Sequence, residues 1–487
     1  MKIQNTSLCR GVLVGIAALV FCCWPTEAQT AAARSGAQQA GRVAARVIDT
    51  VDDTNRTPLR GNVHPMARAE FDRGTVADAQ PLTRILLLLQ RSAEQEAALR
   101  QLMEEQQSKN SPNFHAWLTP EDFGKRFGPA DADVQVVTDW LNSHGFQNIK
   151  VGKGKTVVEF SGNVGQVRSA FGTEIRNFNV KGEDHFANVS DPQIPAALVP
   201  VVRGVVALHN FRPKPQVHSL GTFQRNAKTG EVRPAFTFTD VNGTFYAMGP
   251  ADFATIYNIP AAATGAGQHI AIVGQSNINL QDVTDFRAIF GLPAYGPGQL
   301  NVILNGPDPG LVSGDEGESD LDVEWAGAIA PAATIDFVVT QSSHTDATAG
   351  IDGSALYIID NNIAPILSES YGACESALGT AGNQFYNSLW QQAAAEGITV
   401  VISAGDNGAA GCDNPNAAAS SGVAVSGLAS TPYNVATGGT DFDQANKQTT
   451  FWNAANTSTT PPVLASAKGY IPEITWNDSC ADRKSVV

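Results

Sequence analysis

Positive charge is what the second half of this chain lacks. Residues 245–487 hold only five basic residues (Arg287, Lys447, Lys468, Arg483, Lys484) against 24 Asp and Glu, whereas residues 1–244 carry 27 against 23. So acidic a surface excludes nucleic acid as a partner. The net charge of −15 is therefore a property of one half. It predicts a C-terminal half that works in acid, held at neutral pH by a mildly basic N-terminal half and released as pH falls; plain solubility is the blander alternative. Histidine is equally scarce there. His269 opens an apolar strand run, and His344 lies in a polar loop without the Gly- and Thr-rich helix start a catalytic histidine needs. A serine hydrolase built on this chain does not use histidine as its base. Beyond residue 28 no apolar run is long enough to span a bilayer.

The first 28 residues read as a signal peptide. Lys2 and Arg10 lead into "GVLVGIAALVFCC", and Thr26 and Ala28 suit a cleavage site before Gln29. "LVFC" lacks the small residues that a lipoprotein anchor at Cys22 or Cys23 prefers. The product is read as secreted, with no membrane contact after cleavage. Three of the six cysteines leave with the leader. In an oxidising compartment two of the rest pair; Cys374 and Cys412, each just past a predicted strand, are the expected disulfide, leaving Cys480.

Residues 29–64 read as a flexible lead. An α+β pattern follows over 65–211, with a strand in "RILLLLQRS" and helices in "AEQEAALRQLMEEQQ", "ADADVQVVTDWLNSHGF" and "VGQVRSAFG". Residues 212–244 are Pro-rich and polar, without core periodicity, and read as a protease-sensitive linker. From 245 the texture becomes α/β. Apolar strands ("QHIAIVGQ", "QLNVILN", "ATIDFVVT", "APILSES", "GITVVISAG", "VAVSG") alternate with helices, the signature of a mostly parallel sheet. Sites in such sheets gather at carboxyl ends of strands. Asp406 in "VISAGDNGAAG" stands at one such end, where its default role is a turn; Ser370, Tyr371 and Gly372 stand at another.

"GESDLDVEWAGAIAPAA" (317–333) is the unusual segment. On a helix, Leu321, Trp325, Ala328 and Ile329 share a face, and Glu318 and Asp322 fall within it one turn apart. Asp320 and Glu324 point the other way with Gly327. Acids at i, i+4 are usually solvated. A pair held in a low dielectric keeps one proton to higher pH and can relay it.

These segments together resemble the sedolisin (serine-carboxyl peptidase) family in its kumamolisin-like branch. "SPNFHAWLTPEDFGKRFGP" is similar to its activation prodomain, "GPADFATIYNIP" to the start of its catalytic domain, and "GESDLDVEWAGAIAP" to its Glu-and-Asp helix. "GITVVISAGDNG" and "STPYNVATGGT" are similar to its later strands. The resemblance implies an α+β prodomain (65–211) that inhibits in cis, then an α/β subtilisin-like catalytic domain (245–487), incomplete at its C-terminus, that cleaves polypeptides. It implies Glu318 as general base for a serine nucleophile, Asp322 as its support, Asp406 protonated in the oxyanion hole, and "SESYG" as the strand that pairs with substrate backbone. The family's serine follows "WND" (476–478) in a Gly-Thr-Ser segment, with a calcium loop beyond it. Neither is in these residues, so calcium is expected only for the complete member and no metal site in this chain. One back-translation of the terminal "DRKSVV" opens a short-read library adapter, so the end reads as a break in the sequenced gene, and Cys480's partner is expected beyond it. The alternative is a non-catalytic secreted protein that keeps the peptidase fold as a binding module. Reading the source DNA past the codon for Ala481 is expected to find an open frame with Gly-Thr-Ser; an immediate stop favours the binding module.

Overall fold

A computed structural model of the chain describes residues 43–476, apart from 216–223, 226–231, 234–236, 241–242, 247, 414–419, 444–446 and 458–464. The expected signal peptide, residues 29–42, Cys480 and the terminal segment lie outside the described residues.

The N-terminal part runs β1 (Arg56–Pro58), β2 (Asp72–Thr75), β3 (Pro81–Leu89), α1 (Ala93–Gln107), α2 (Pro120–Phe127), α3 (Asp131–Ser143), β4 (Gln147–Val151), β5 (Val157–Asn163), α4 (Val164–Phe171), β6 (Ile175–Val180), β7 (Glu183–Asn188), β8 (Gln193–Pro195) and β9 (Val202–Val205). Helix starts follow the local chemistry: Ser92 with Gln95, and Asn163 with Gln166, close reciprocal capping boxes on α1 and α4. Strands β4-β5-β3-β9 form one antiparallel sheet and β2-β6-β7 another.

Strand β3 is apolar on both faces, which explains the uninterrupted leucines. Leu82, Ile85, Leu87 and Leu89 join Val137, Trp140 and Phe171 under α3 and α4. Leu86 and Leu88 face the opposite way, into a core with Phe385, Leu389 and Trp390 of the C-terminal part. Each buried leucine contributes about 1.5–3 kcal/mol by area. The expected flexible lead is a correction, at least over residues 43–64. The Arg46 and Val47 amides donate to the Asp133 carboxylate at 2.9 Å, β1 pairs with β8, and Trp140 Nε1 donates to Asp53 at 3.1 Å. Leu59 in the core, with Val47 and Val51 packed against it, and polar partners on the folded unit together hold the segment.

Between the parts lie β10 (Lys214–Pro215) and two short hairpins, β11 (Gln224–Arg225) with β12 (Val232–Arg233), and β13 (Thr237–Asp240) with β14 (Gly243–Tyr246). The start of the expected linker is held: Pro213 is buried, and the Arg212 guanidinium donates to the carbonyls of Ser343 and Asp346.

The C-terminal part continues with α5 (Pro250–Ile256), β15 (His269–Gly274), α6 (Leu280–Ile289), β16 (Leu300–Leu304), α7 (Glu316–Ile329), β17 (Thr334–Val339), α8 (Gly350–Asp360), β18 (Ile366–Glu369), β19 (Tyr371–Gly372), α9 (Glu375–Ala395), β20 (Thr399–Ser403) and β21 (Val435–Thr437). Six strands pair in parallel in the order β16-β17-β15-β18-β20-β21. Alternation sorts their side chains. Ile272, Ile335, Phe337 and Val339 pack with Val283 of α6 and Val323 of α7. Ala271, Val273 and Val338 pack with Ile358 of α8 and Trp390 of α9 on the other face. The layers are therefore α6/α7, parallel sheet, α8/α9, antiparallel sheet, α3/α4. Strand order reverses beside β15, so the carboxyl ends of β15 and β18 border the crevice where ligands bind in open α/β sheets. "VAVSG" is a second correction: Val423 and Val425 are exposed and the segment pairs through the isolated bridges Ala424–Ala410 and Ser426–Cys374 instead of joining the sheet, while β21 supplies the sixth strand. Among the described residues no helix is long and apolar enough to cross a membrane.

Leu88→Ala empties a site in the shared core, and urea unfolding should show a loss of about 2–5 kcal/mol. A loss below about 1 kcal/mol, the range of an exposed site, would refute the two-faced burial of β3.

Candidate active site

Helix α7 carries both acids singled out from sequence. Glu318 stands in its first turn, and only 4% of it is exposed. Asp322 follows one turn later on the same side and is half-buried. The Ser370 hydroxyl, just past β18, donates to Asp322 Oδ1 at 2.8 Å; Asp322 Oδ2 is buried without a hydrogen-bond partner. Burial raises the Asp322 carboxyl to about 7, against the lowering effect of Ser370.

The rest of α7 lies differently from the apolar-face expectation. Leu321 is exposed, whereas Asp320, Val323 and Gly327 are buried. Gly327 decides this: a Cβ there would overlap the Tyr295 hydroxyl, and Arg287 reaches the Gly327 carbonyl at 3.0 Å while lying 3.8 Å over the Tyr295 ring. The smallest residue marks the closest approach of α7 to its neighbours. Asp320 and Glu324 thus face protein. Burial lifts Asp320 to about 7 and, helped by Asp320 and Asp282, Glu324 to about 9.

Ser370, Tyr371 and Gly372 form the next wall. Pro215 pairs with Tyr371 and Lys214 with Gly372, antiparallel, so the chain's own β10 lies along β19 as an added strand. A cavity of about 630 Å³ opens beside this pair, bordered by Lys214, Gln275, Asp315 and Ser342. Asp406 follows β20 in a half-buried turn; its carbonyl accepts from Trp476 Nε1 at 3.2 Å, tying the Trp of "WND" to this loop. Cys374 and Cys412 are bonded to each other and join the start of α9 to the same loop. His269 is bound to Asp336 at 2.7 Å and His344 to Asn210 at 3.3 Å, both away from the α7 acids.

Sequence reasoning missed Glu369. It is 1% exposed, both carboxylate oxygens lack hydrogen-bond partners, and burial beside Asp352 and Asp322 raises it well above the usual range. The strand alternation, which puts residue 369 inward with Leu367, was the available signal. For the calcium that the resemblance implies, the described residues offer one group, Asp282, Glu316 and Asp320, with one ligand atom each within 4.8 Å of the others. Calcium takes six to eight oxygens, and Asp320 Oδ1 already accepts from the Asn279 amide at 2.9 Å. The group does not fit the ion, and no chemistry is routed through one.

The family model for the pro-kumamolisin activation domain matches residues 71–211. Sedolisin of Pseudomonas sp. is 29% identical over 372 residues, 74% of this chain and 60% of that protein. Kumamolisin of Bacillus sp. is 28% identical over 395 residues, 80% of this chain and 67% of the relative. Over about three quarters of its length this chain is similar to the sedolisins, and residues 71–211 match their activation domain. It spans 60% of the length of Pseudomonas sedolisin and 44% of xanthomonalisin of Xanthomonas sp.. The solved structure of Pseudomonas sedolisin complexed with two molecules of pseudo-iodotyrostatin is 26% identical, with 46% of this chain and 63% of that chain covered at a TM-score of 0.34.

Because its folded-state value lies above that of an unfolded aspartate, Asp322 costs stability in full above about 7, and the cost shrinks as pH falls from there and is gone below the ordinary aspartate value. Asp322→Asn should therefore melt above the unmodified chain at pH 8, with the gap closing near pH 4. A gap independent of pH would contradict the buried, raised carboxyl.

Proposed function

We propose that this chain belongs to a secreted, acid-activated serine-carboxyl endopeptidase zymogen: prodomain over 65–211, linker over 212–244 and subtilisin-like catalytic domain from 245. The observation that carries the proposal is the pairing of Lys214–Pro215 with Tyr371–Gly372, beside the Ser370 hydroxyl that bonds Asp322. An extended peptide already lies along the strand assigned to substrate. While it stays there the prodomain inhibits in cis.

The chemistry follows from the acids. Glu318 accepts the proton of a serine hydroxyl as its oxygen attacks the scissile carbonyl carbon, and returns it to the departing amine. Water then hydrolyses the acyl-enzyme by the same route. Asp322, neutral below about 7, retains a proton with which to hold Glu318 in place. Asp406, protonated in acid, donates to the oxyanion. The serine is the one that the family carries in Gly-Thr-Ser beyond Trp-Asn-Asp.

In the gene carried through that segment, incubation in acid should release the N-terminal part by cleavage within 212–244. Glu318→Ala should abolish the cleavage, and Asp406→Ala should slow it about 10²–10³-fold, the cost of one oxyanion donor. An unmodified protein that stays intact in acid defeats self-activation.

A further inference from the structure

Half of the chain's eight histidines gather where the activation domain passes into β10. Phe211 is their centre. His64 stacks on its ring at 3.9 Å and 3°, and His185 at 4.0 Å and 17°. Two rings parallel to a third at that spacing occupy its opposite faces. His209 meets His64 edge-on at 4.8 Å, and His344 Nδ1 is bound to Asn210 Nδ2 at 3.3 Å. His64 is buried and accepts from the Met66 amide at 3.2 Å. Nδ1 of His185 and Nδ1 of His209 are buried without a hydrogen-bond partner. The adjoining cavity, between Phe211 and Tyr386, has a volume of about 30 Å³. That is room for about one water beside His209, too little to hydrate an imidazolium there, whereas His185 borders the 630 Å³ cavity and is the least dehydrated of the three. Phe211 is three residues from Lys214, the first residue of β10.

We infer that this cluster is the proton switch that frees β10 from β19: protonated imidazoles leave the stack on Phe211, and their departure lifts residues 209–215 from the cleft. The zymogen reading is needed only for what the release accomplishes.

The direction of the effect singles out the histidines. Burial, with His209 and His185 beside it, holds His64 down at about 2. Burial, then His185 and Arg212, holds His209 at about 4, and burial lowers His185 against the pull of Glu183. A histidine lowered when docked and ordinary when hydrated supports docking fully above 6.5 and loses that support as pH falls from there. The carboxylates of the same interface act oppositely. Asp360, which accepts from the Lys153 and Gly154 amides, and Glu396 are raised by burial, so acid strengthens docking through them.

The charges facing the cluster give a new cation little relief. Glu183 lies 3.7 Å from His185 Nε2 but is bound to Lys214 Nζ at 2.7 Å. Arg212 and Arg84 stand against Asp346 and Asp352. Stacking on Phe211 favours a charged ring only weakly. With 6.5 for the hydrated ring, His64 and His209 each weaken docking about 30-fold between neutral pH and pH 5.

Hydrogen exchange in residues 206–215 of the whole chain, corrected for the intrinsic pH dependence of exchange, reads the release directly. Protection should be lost between pH 6.5 and 4. In His64→Gln and His209→Gln the midpoint should fall by about half a unit or more. Midpoints equal to that of the unmodified chain, with neutral-pH protection intact, overturn the inference, as does protection that persists to pH 4. If either variant fails to fold, the Cε1 proton titrations of the unmodified chain decide: His64 or His209 titrating near 6.5 while 206–215 stays protected also overturns it. Neither readout needs a cut peptide bond. A protein that never cleaves defeats the peptidase proposal and leaves the switch standing, whereas unshifted midpoints do the reverse.

Discussion

Everything in this molecule hangs on a strand that cannot satisfy itself with one core. Strand β3 has leucines on both faces, and a sheet with two apolar faces must be covered twice. Helices α3 and α4 cover one side, and α8 and α9 cover the other. Those last two helices also cover the parallel sheet, so the activation domain and the six-stranded sheet share a single helical layer. Gly154 shows how close the approach is: a Cβ there would overlap Gln392 of α9. The large apolar contact fixes orientation and so decides where the chain leaves β9. That exit leads residues 206–213 past the histidines and sets β10 against β19.

The two parts respond to protons in opposite senses. In the C-terminal part, Asp320, Asp322, Glu324 and Glu369 are raised by burial, so the fold carries an electrostatic penalty at neutral pH that acid removes. In the N-terminal part, His64, His185 and His209 are lowered by burial, so acid imposes a penalty there. The overall charge asymmetry pointed toward acid from the sequence, but by a long-range attraction that salt screens within about 10 Å. Burial of particular groups adds a second contribution, one that salt does not screen, since desolvation acts on each group locally.

Much was legible before folding. The strand and helix segments of both parts follow their hydrophobic periods, and "RILLLLQRS", "QHIAIVGQ" and "ATIDFVVT" lie where period and composition put them. Errors came where small or polar residues do the packing. The buried face of α7 is chosen by Gly327, which no hydrophobic count rewards. Residues 43–64 are held by amides on Asp133, a short strand pair and the isolated apolar residues Val47, Val51 and Leu59, none of which makes a periodic pattern. "VAVSG" has a strand's composition, but it meets its neighbours only in single bridges, Ala424 with Ala410 and Ser426 with Cys374, and not in the six-stranded sheet.

The sequence by itself determined the element types, the crossover pattern of a parallel sheet, the placing of Glu318 and Asp322 one turn apart, and the uneven charge, because each depends on residues near in the chain or on simple counts. Only the tertiary structure decided which acids are buried, that Ser370 bonds Asp322, that β10 lies on β19, and that four histidines from distant segments surround Phe211. Those facts depend on desolvation and on contacts between segments far apart in the chain, 48 residues for Ser370 with Asp322, and a pKa or a hydrogen bond exists only once both sides of such a contact are in place.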